Sequence, residues 1–206
     1  DIHGNILGLL DILDQIDFNP QTDTLVFLGD YIDGNQKEVP NLNSKRVVKL
    51  VLDLKRKNPE SVVLLKGNHE VMAKDYILNE DNSLYLKNRG LETLESYDDK
   101  EEFKRDILRL NELPLIYEEE FVVFVHAGLR PTIKIANQSK RDMLWIREDF
   151  INSDYEWEKI VIAGHTTVDR IEKHGNKVLM DTGSGKHAGG FISCLDITNN
   201  YLYTSK

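Results

Sequence analysis

Five short polar blocks punctuate this chain, and four of them close an apolar run of strand length. The blocks are Asp1-Ile2-His3-Gly4-Asn5, Gly29-Asp30-Tyr31-Ile32-Asp33, Gly67-Asn68-His69-Glu70, His126-Ala127-Gly128 and Gly164-His165-Thr166. Thr24 to Leu28, Ser61 to Lys66, Phe121 to Val125 and Lys159 to Ala163 precede the last four. Such runs read as strands covered on both faces, each handing a polar loop to the same end of a sheet. The first block opens the chain, and we expect a further β-strand upstream of it.

Helical periodicity fills the intervals. Ile6, Leu9, Leu10, Leu13 and Ile16 form one amphipathic stripe before Asn19-Pro20, and Val47, Val48, Leu50, Val51 and Leu54 form another before Asn58-Pro59. Strand, ligand loop and helix thus recur at roughly 30 to 40 residues, the rhythm of βαβ units. From Val71 to Asn111 the pattern reads as a polar helical insert, and Asp98 to Glu102 within it as a capped helix start. Glu118-Glu119-Glu120 reads as a solvated run. Lys177 to Met180, Phe191 to Asp196 and Tyr201 to Tyr203 alternate with turns, which predicts a C-terminal meander and a second, largely antiparallel sheet. Together these predict a single α/β domain over 1–206, with a metal site at one sheet edge.

At 206 residues with a net charge of -9, the chain disfavours nucleic acid and anionic membranes as partners. No apolar stretch approaches the roughly 20 residues of a membrane span. A lone cysteine, Cys194, excludes an internal disulfide, and with no leader legible we expect a cytoplasmic protein. Cys194, Trp145 and Trp157 read as packing residues, and His174 and His187 as turn or loop residues.

Asp1 and His3, one residue apart on extended chain, can chelate one cation. Asp30 can bridge two cations through its two oxygens, and Asn68, His126 and His165 can complete the coordination of the second cation. Nitrogen and oxygen donors without thiolate favour two divalent ions, manganese first, with iron or zinc as alternatives. Two cations sharing a water lower its pKa toward neutrality and suit it to in-line attack on phosphorus. His69, beside ligand Asn68, is then the candidate general acid, with Asp33 holding its imidazolium.

These blocks, in this order, resemble the calcineurin-type metallophosphoesterases, and within them the phosphoprotein phosphatases of bacteria and phages. Leu144-Trp145-Ile146-Arg147-Glu148 and Asp181-Thr182-Gly183 add to the likeness, which spans nearly the whole chain. The resemblance implies two mixed sheets packed face to face between helices. It assigns Asp1, His3 and Asp30 to one metal and Asp30, Asn68, His126 and His165 to the other. It makes His69 the proton donor, Asp33 its partner and Arg147 a grip on phosphoryl oxygens.

One departure stands out: the family's block continues Asp-Arg-Gly, whereas Asp33 is followed by Gly34-Asn35-Gln36. Lys37, Lys45, Arg46 and Lys186 are the candidate replacements for the missing cation, and Gly34→Arg is the expected way to restore it. The leading activity is hydrolysis of phosphate monoesters in phosphorylated proteins. Small phosphoesters, including dinucleoside polyphosphates and phosphodiesters, form the alternative, and a non-catalytic interaction scaffold a third. The oligomeric state is not legible.

Overall fold

A computed structural model describes residues 1–79 and 83–206. Its strands are short, and the interior ones are almost wholly apolar. β1 (Leu25–Phe27) pairs in parallel with β2 (Val62–Leu64), Val26 opposite Val63. The main sheet runs β3-β4-β5-β7-β6, built from β3 (Ile116–Glu118), β4 (Val122–Val125), β5 (Ile160–Ala163), β6 (Glu172–His174) and β7 (Lys177–Leu179). Its three central strands are parallel, and its two edges are antiparallel to their neighbours. A separate hairpin joins β8 (Ser193–Asp196) to β9 (Tyr201–Thr204).

The period-two alternation of side chains divides the core into three. Phe27, Val62 and Leu64 face a helical layer of α1 (Ile6–Gln15), α2 (Ser44–Lys57), α3 (Asn68–Leu78) and α6 (Lys100–Asn111). Their neighbours Val63 and Leu65 turn the other way, toward Val122, Phe124, Ile162, Val178 and Met180 of the main sheet. That sheet's far face, Val123, Val125, Val161, Ala163 and Leu179, packs on Met143 and Phe150. These two residues come from α7 (Lys140–Trp145) and α8 (Glu148–Ile151). The result is helix, sheet, sheet, helix, the expected sandwich.

Two expectations are corrected. β7 does not belong to a C-terminal meander; it inserts between β5 and β6, parallel to β5. Val178 and Leu179 are buried on opposite faces, which only an interior strand satisfies. Only β8 and β9 form the predicted antiparallel pair. His174, read as a turn residue, lies in edge strand β6 and pairs with Glu172 at 2.8 Å. The insert read over Val71 to Asn111 becomes the rest of α3, α4 (Ser83–Lys87), α5 (Gly90–Glu95) and α6; residues 80–82 of that reading lie outside the described residues. Asp99 caps α6 by accepting from Glu101 N–H at 2.9 Å. No helix among the described residues is long and apolar enough to cross a membrane.

Cys194 sits on β8, partly buried, and burial pushes its thiol up to about 11. Lys177 is the unusual core residue. It is 3% exposed, and its ammonium donates to the carbonyls of Phe150 and Ile151, both at 3.0 Å, and to that of Ser153. The first two carbonyls end α8 and the third lies just beyond it, so one cation closes the helix against the sheet. Lys177→Met keeps the stem but strands the carbonyls. It should cost about 2 to 4 kcal/mol, read by urea denaturation.

Candidate dinuclear metal centre

The chain leaves β1, β2, β4 and β5 at the same end, and each exit carries one polar block. Asp30 is the meeting point. Its Oδ2 lies 3.5 Å from His3 Nε2, 3.4 Å from His126 Nε2 and 3.9 Å from His69 Nε2. Two sets of donors share it, His3-Asp30-His69 and Asp30-His126-His165, with ligand atoms within 4.8 Å of one another in each. Asn68 opens α3 and places Oδ1 2.9 Å from His126 Nε2. Asp1 Oδ2 lies 3.7 Å from His3 Nε2, and both Asp1 oxygens accept the His165 N–H at 3.1 Å. All six residues expected to hold metals therefore converge.

The donor chemistry fits two divalent cations. His3 Nδ1 faces the Ile32 carbonyl at 2.9 Å and His126 Nδ1 the Leu28 carbonyl at 2.8 Å, which assigns the protons to Nδ1 and the lone pairs to Nε2. His126 Nε2, Asn68 Oδ1 and Asp30 Oδ2 then form a cluster of acceptors with no proton among them. The Nε2 atoms of His3 and His165 are buried without any hydrogen-bond partner. Such a cluster of buried acceptors fits a cation.

Burial also separates the four histidines by charge. It drives His3 down to about 3 and His165 to about 2, and it lowers His126. Burial thus favours the neutral form of these three, the form a metal binds. Burial acts on His69 in the same direction, but Asp30 and Asp33 outweigh it and raise the imidazole to about 9. Asp30 is pushed up by burial and pulled well below the carboxylate range by His126, His69 and His3. One imidazole is thus set to carry a proton where its three neighbours are not.

The support of His69 is a relay. Its Nδ1 meets Asp33 Oδ2 at 2.9 Å, and Thr93 Oγ1 donates to Asp33 Oδ1 at 2.6 Å while accepting the Asp33 N–H at 2.9 Å. Sequence reasoning found His69 and Asp33 but not Thr93, a lone threonine on α5 with no local signal. It also read Glu70 only as part of a motif. Glu70 is fully buried and accepts from Asp30 N–H at 3.0 Å, Tyr31 N–H at 2.9 Å and Gly67 N–H at 2.8 Å, tying two ligand loops together. The loops can approach this closely because Gly67 has no side chain; a Cβ there would lie 2.1 Å from Asp30 Oδ1.

Arg147 borders the site on the His165 side, where its Nη1 donates to the His165 carbonyl at 3.3 Å and to Thr166 Oγ1 at 3.4 Å. Trp145 is not the packing residue expected. It is 39% exposed, with its ring centroid 6.2 Å from that of His165, because α7 ends there beside the site; Trp157 is buried as expected. Of the candidate replacement cations, Lys186 reaches the site, with Nζ 2.6 Å from Asp181 Oδ2 and 3.2 Å from Asp1 Oδ2. Lys45 instead pairs with Asp98 and Glu102 across the helical layer, and Lys37 and Arg46 are exposed. Burial raises Asp181, but Lys186 draws it well below the usual carboxylate range.

Gly34 cannot take the arginine that the sequence pattern suggested. A Cβ built there would stand 2.1 Å from the His3 carbonyl oxygen and 2.4 Å from Leu42 Cδ1. Four site residues meanwhile hold left-handed backbone: His3 at φ 47°, Asp30 at 50°, Asp33 at 66° and His165 at 64°. Each costs roughly 1 to 3 kcal/mol for a residue with a side chain and persists only where the surroundings fix it.

The model of the calcineurin-like phosphoesterase family matches residues 1–193. Serine/threonine-protein phosphatase 2 of Salmonella typhimurium is 29% identical over 201 residues, covering 89% of this chain and 85% of its own. Among solved structures, a candidate diadenosine tetraphosphatase superposes with a TM-score of 0.71 at 21% identity, covering 99% of this chain and 89% of its own. A serine/threonine phosphatase of Saccharomyces cerevisiae similar to human PP5 gives 0.70 at 16% identity, covering 100% and 78%.

Glu70→Ala removes the acceptor of three buried N–H groups and should cost roughly 3 kcal/mol in denaturation with chelator present. Gly34→Arg should lower the melting temperature and the bound metal together, because the new side chain displaces the His3 backbone. Calorimetry and elemental analysis of the purified variant check it.

Proposed function

The chain belongs to the calcineurin-like phosphoesterase family, and on that premise we propose that it hydrolyses phosphate monoesters on serine or threonine in proteins. The observation that carries the reading is the pairing of a His69-Asp33-Thr93 relay with an Asp30-centred cluster of neutral histidines. The likeness to a serine/threonine phosphatase over most of both chains supports the substrate class.

Asp1, His3 and Asp30 would hold one cation, and Asp30, Asn68, His126 and His165 the other, with manganese the ion we favour for this nitrogen and oxygen set. Two such ions supply Lewis-acid stabilisation of the phosphoryl charge and a water activated for attack. The remaining work falls to the protein. His69, held through Nδ1 by Asp33, turns Nε2 toward Asp30 and gives its proton to the leaving serine or threonine oxygen. Asp33 keeps the ring oriented and charged, and Thr93 keeps Asp33 from turning away. Arg147 offers its free N–H groups to phosphoryl oxygens from the opposite side. His69 also lies within reach of the first cation's donors; we assign it the proton rather than the metal because Asp33 holds its Nδ1 at 2.9 Å and Thr93 fixes Asp33 in turn, a carboxylate support where the Nδ1 of His3 and of His126 meets a backbone carbonyl.

Trp145 favours one second reading. An exposed indole beside His165 suits stacking on a base, which is what a dinucleoside polyphosphate would need. A phosphoserine peptide, a diadenosine polyphosphate and a bis-aryl phosphodiester, compared by kcat/KM, separate the two. We expect the peptide to lead; preference for the dinucleotide would move the assignment to small molecules.

His69→Asn should keep two metals per chain and lose roughly 10²- to 10⁴-fold in turnover of p-nitrophenyl phosphate, the scale of a missing general acid. Unchanged turnover in that variant removes His69 from the mechanism.

A further inference from the structure

A bound phosphoryl group carries up to two negative charges, and the cations around this site are largely committed. Lys186 is held by Asp181 and Asp1, and Arg130, further along the same side as Arg147, is held by Asp142 and Asp149. Arg147 stands on the His165 side. On the His69 side, one guanidinium is placed by backbone geometry that an arginine rarely adopts. Arg89 precedes α5 at φ 71°, in the left-handed region, and donates from Nη1 to Asn35 Oδ1 at 3.0 Å.

Asn35 is the second residue after Asp33 and is fixed on three sides. Its N–H donates to the Gly185 carbonyl at 2.7 Å, its Nδ2 to the Lys186 carbonyl at 3.2 Å, and its Oδ1 is left to receive Arg89; the residue is 4% exposed. Arg89 itself is 44% exposed along its side chain, and its other partner, Glu92, stands 4.0 Å away. The helix it begins carries Thr93, the residue that holds Asp33. Thr93 follows Arg89 by four residues, about one helical turn, so the segment that presents the guanidinium to Asn35 also holds Asp33 through Thr93.

We infer that Arg89 is a phosphate-binding residue of this enzyme, the counterpart of Arg147 across the site. The inference rests on the monoester reading above. Gly34 admits no side chain, so a cation on this flank must come from another segment, and Asn35 delivers one from α5. A planar fork with one N–H on Asn35 keeps donors for two phosphoryl oxygens. The left-handed backbone at Arg89, which glycine would hold without strain, is retained where the side chain has a task.

The test is binding of inorganic phosphate to the manganese-loaded protein by calorimetry, with KM and kcat for p-nitrophenyl phosphate measured alongside. Arg89→Gly suits the backbone, so its melting temperature should equal or exceed that of the wild type. Phosphate affinity should fall about tenfold to a hundredfold, the scale of one lost charge-assisted pair, and KM should rise in step. Arg89→Lys should recover part of the loss. Phosphate affinity within twofold of wild type in Arg89→Gly overturns the inference, as does a wild type that binds no phosphate. A wild type that binds phosphate but turns over no monoester sinks the functional reading instead, and the binding comparison still decides Arg89.

Discussion

Everything at the metal centre depends on one buried carboxylate that is not itself a ligand. Glu70 accepts three backbone N–H groups, from Asp30, Tyr31 and Gly67, and so locks the loop after β1 to the loop after β2. The Asp30 carbonyl then accepts from Ile2 and His3, both at 2.9 Å, and the Tyr31 carbonyl from Gly4 at 2.9 Å. The first three ligand blocks are thereby one hydrogen-bonded unit. Burial and Asp30 raise Glu70 to about 7, while the N–H bonds from Tyr31 and Gly67 hold it down. A carboxylate under that tension is tolerable because three donors surround it.

The same economy governs charge. Asp30 answers three imidazoles, and the outcome for each ring is decided by what else it touches. His3 and His126 give their Nδ1 protons to carbonyls and remain neutral; His69 meets a second carboxylate, Asp33, and carries charge. On the proposed mechanism, two roles, ligation and proton donation, arise from one residue type in one pocket. The left-handed backbone at His3, Asp30, Asp33 and His165 is a cost of aiming side chains inward at sharp exits from strands. The three-part core supplies the rigidity that holds it.

Much of this was legible in the sequence because the signals are local. Val122 to Val125 and Ile160 to Ala163 are continuous apolar runs with a histidine next to or near their ends, and the structure makes both interior strands. Asp99 announces α6 as a cap. What was not legible depends on contacts between distant segments. Lys177 begins a strand whose place between β5 and β6 follows from burial on both faces, and β3 and β6 are three residues long and polar at their ends. Gly34 looked like a lost arginine, yet the reason no side chain fits is the His3 carbonyl, 31 residues earlier in the chain. Thr93 gives no sign in sequence of its bond to Asp33, and Trp145 gives none of its exposure.

The central claim is that Asp30 serves two cations at once, and electron paramagnetic resonance of the manganese-loaded protein tests it most directly. With elemental analysis in parallel, the account predicts two ions per chain whose spectrum shows exchange coupling, and loss of that coupling in Asp30→Asn. One ion per chain, or two that give uncoupled signals in the wild type, would contradict it.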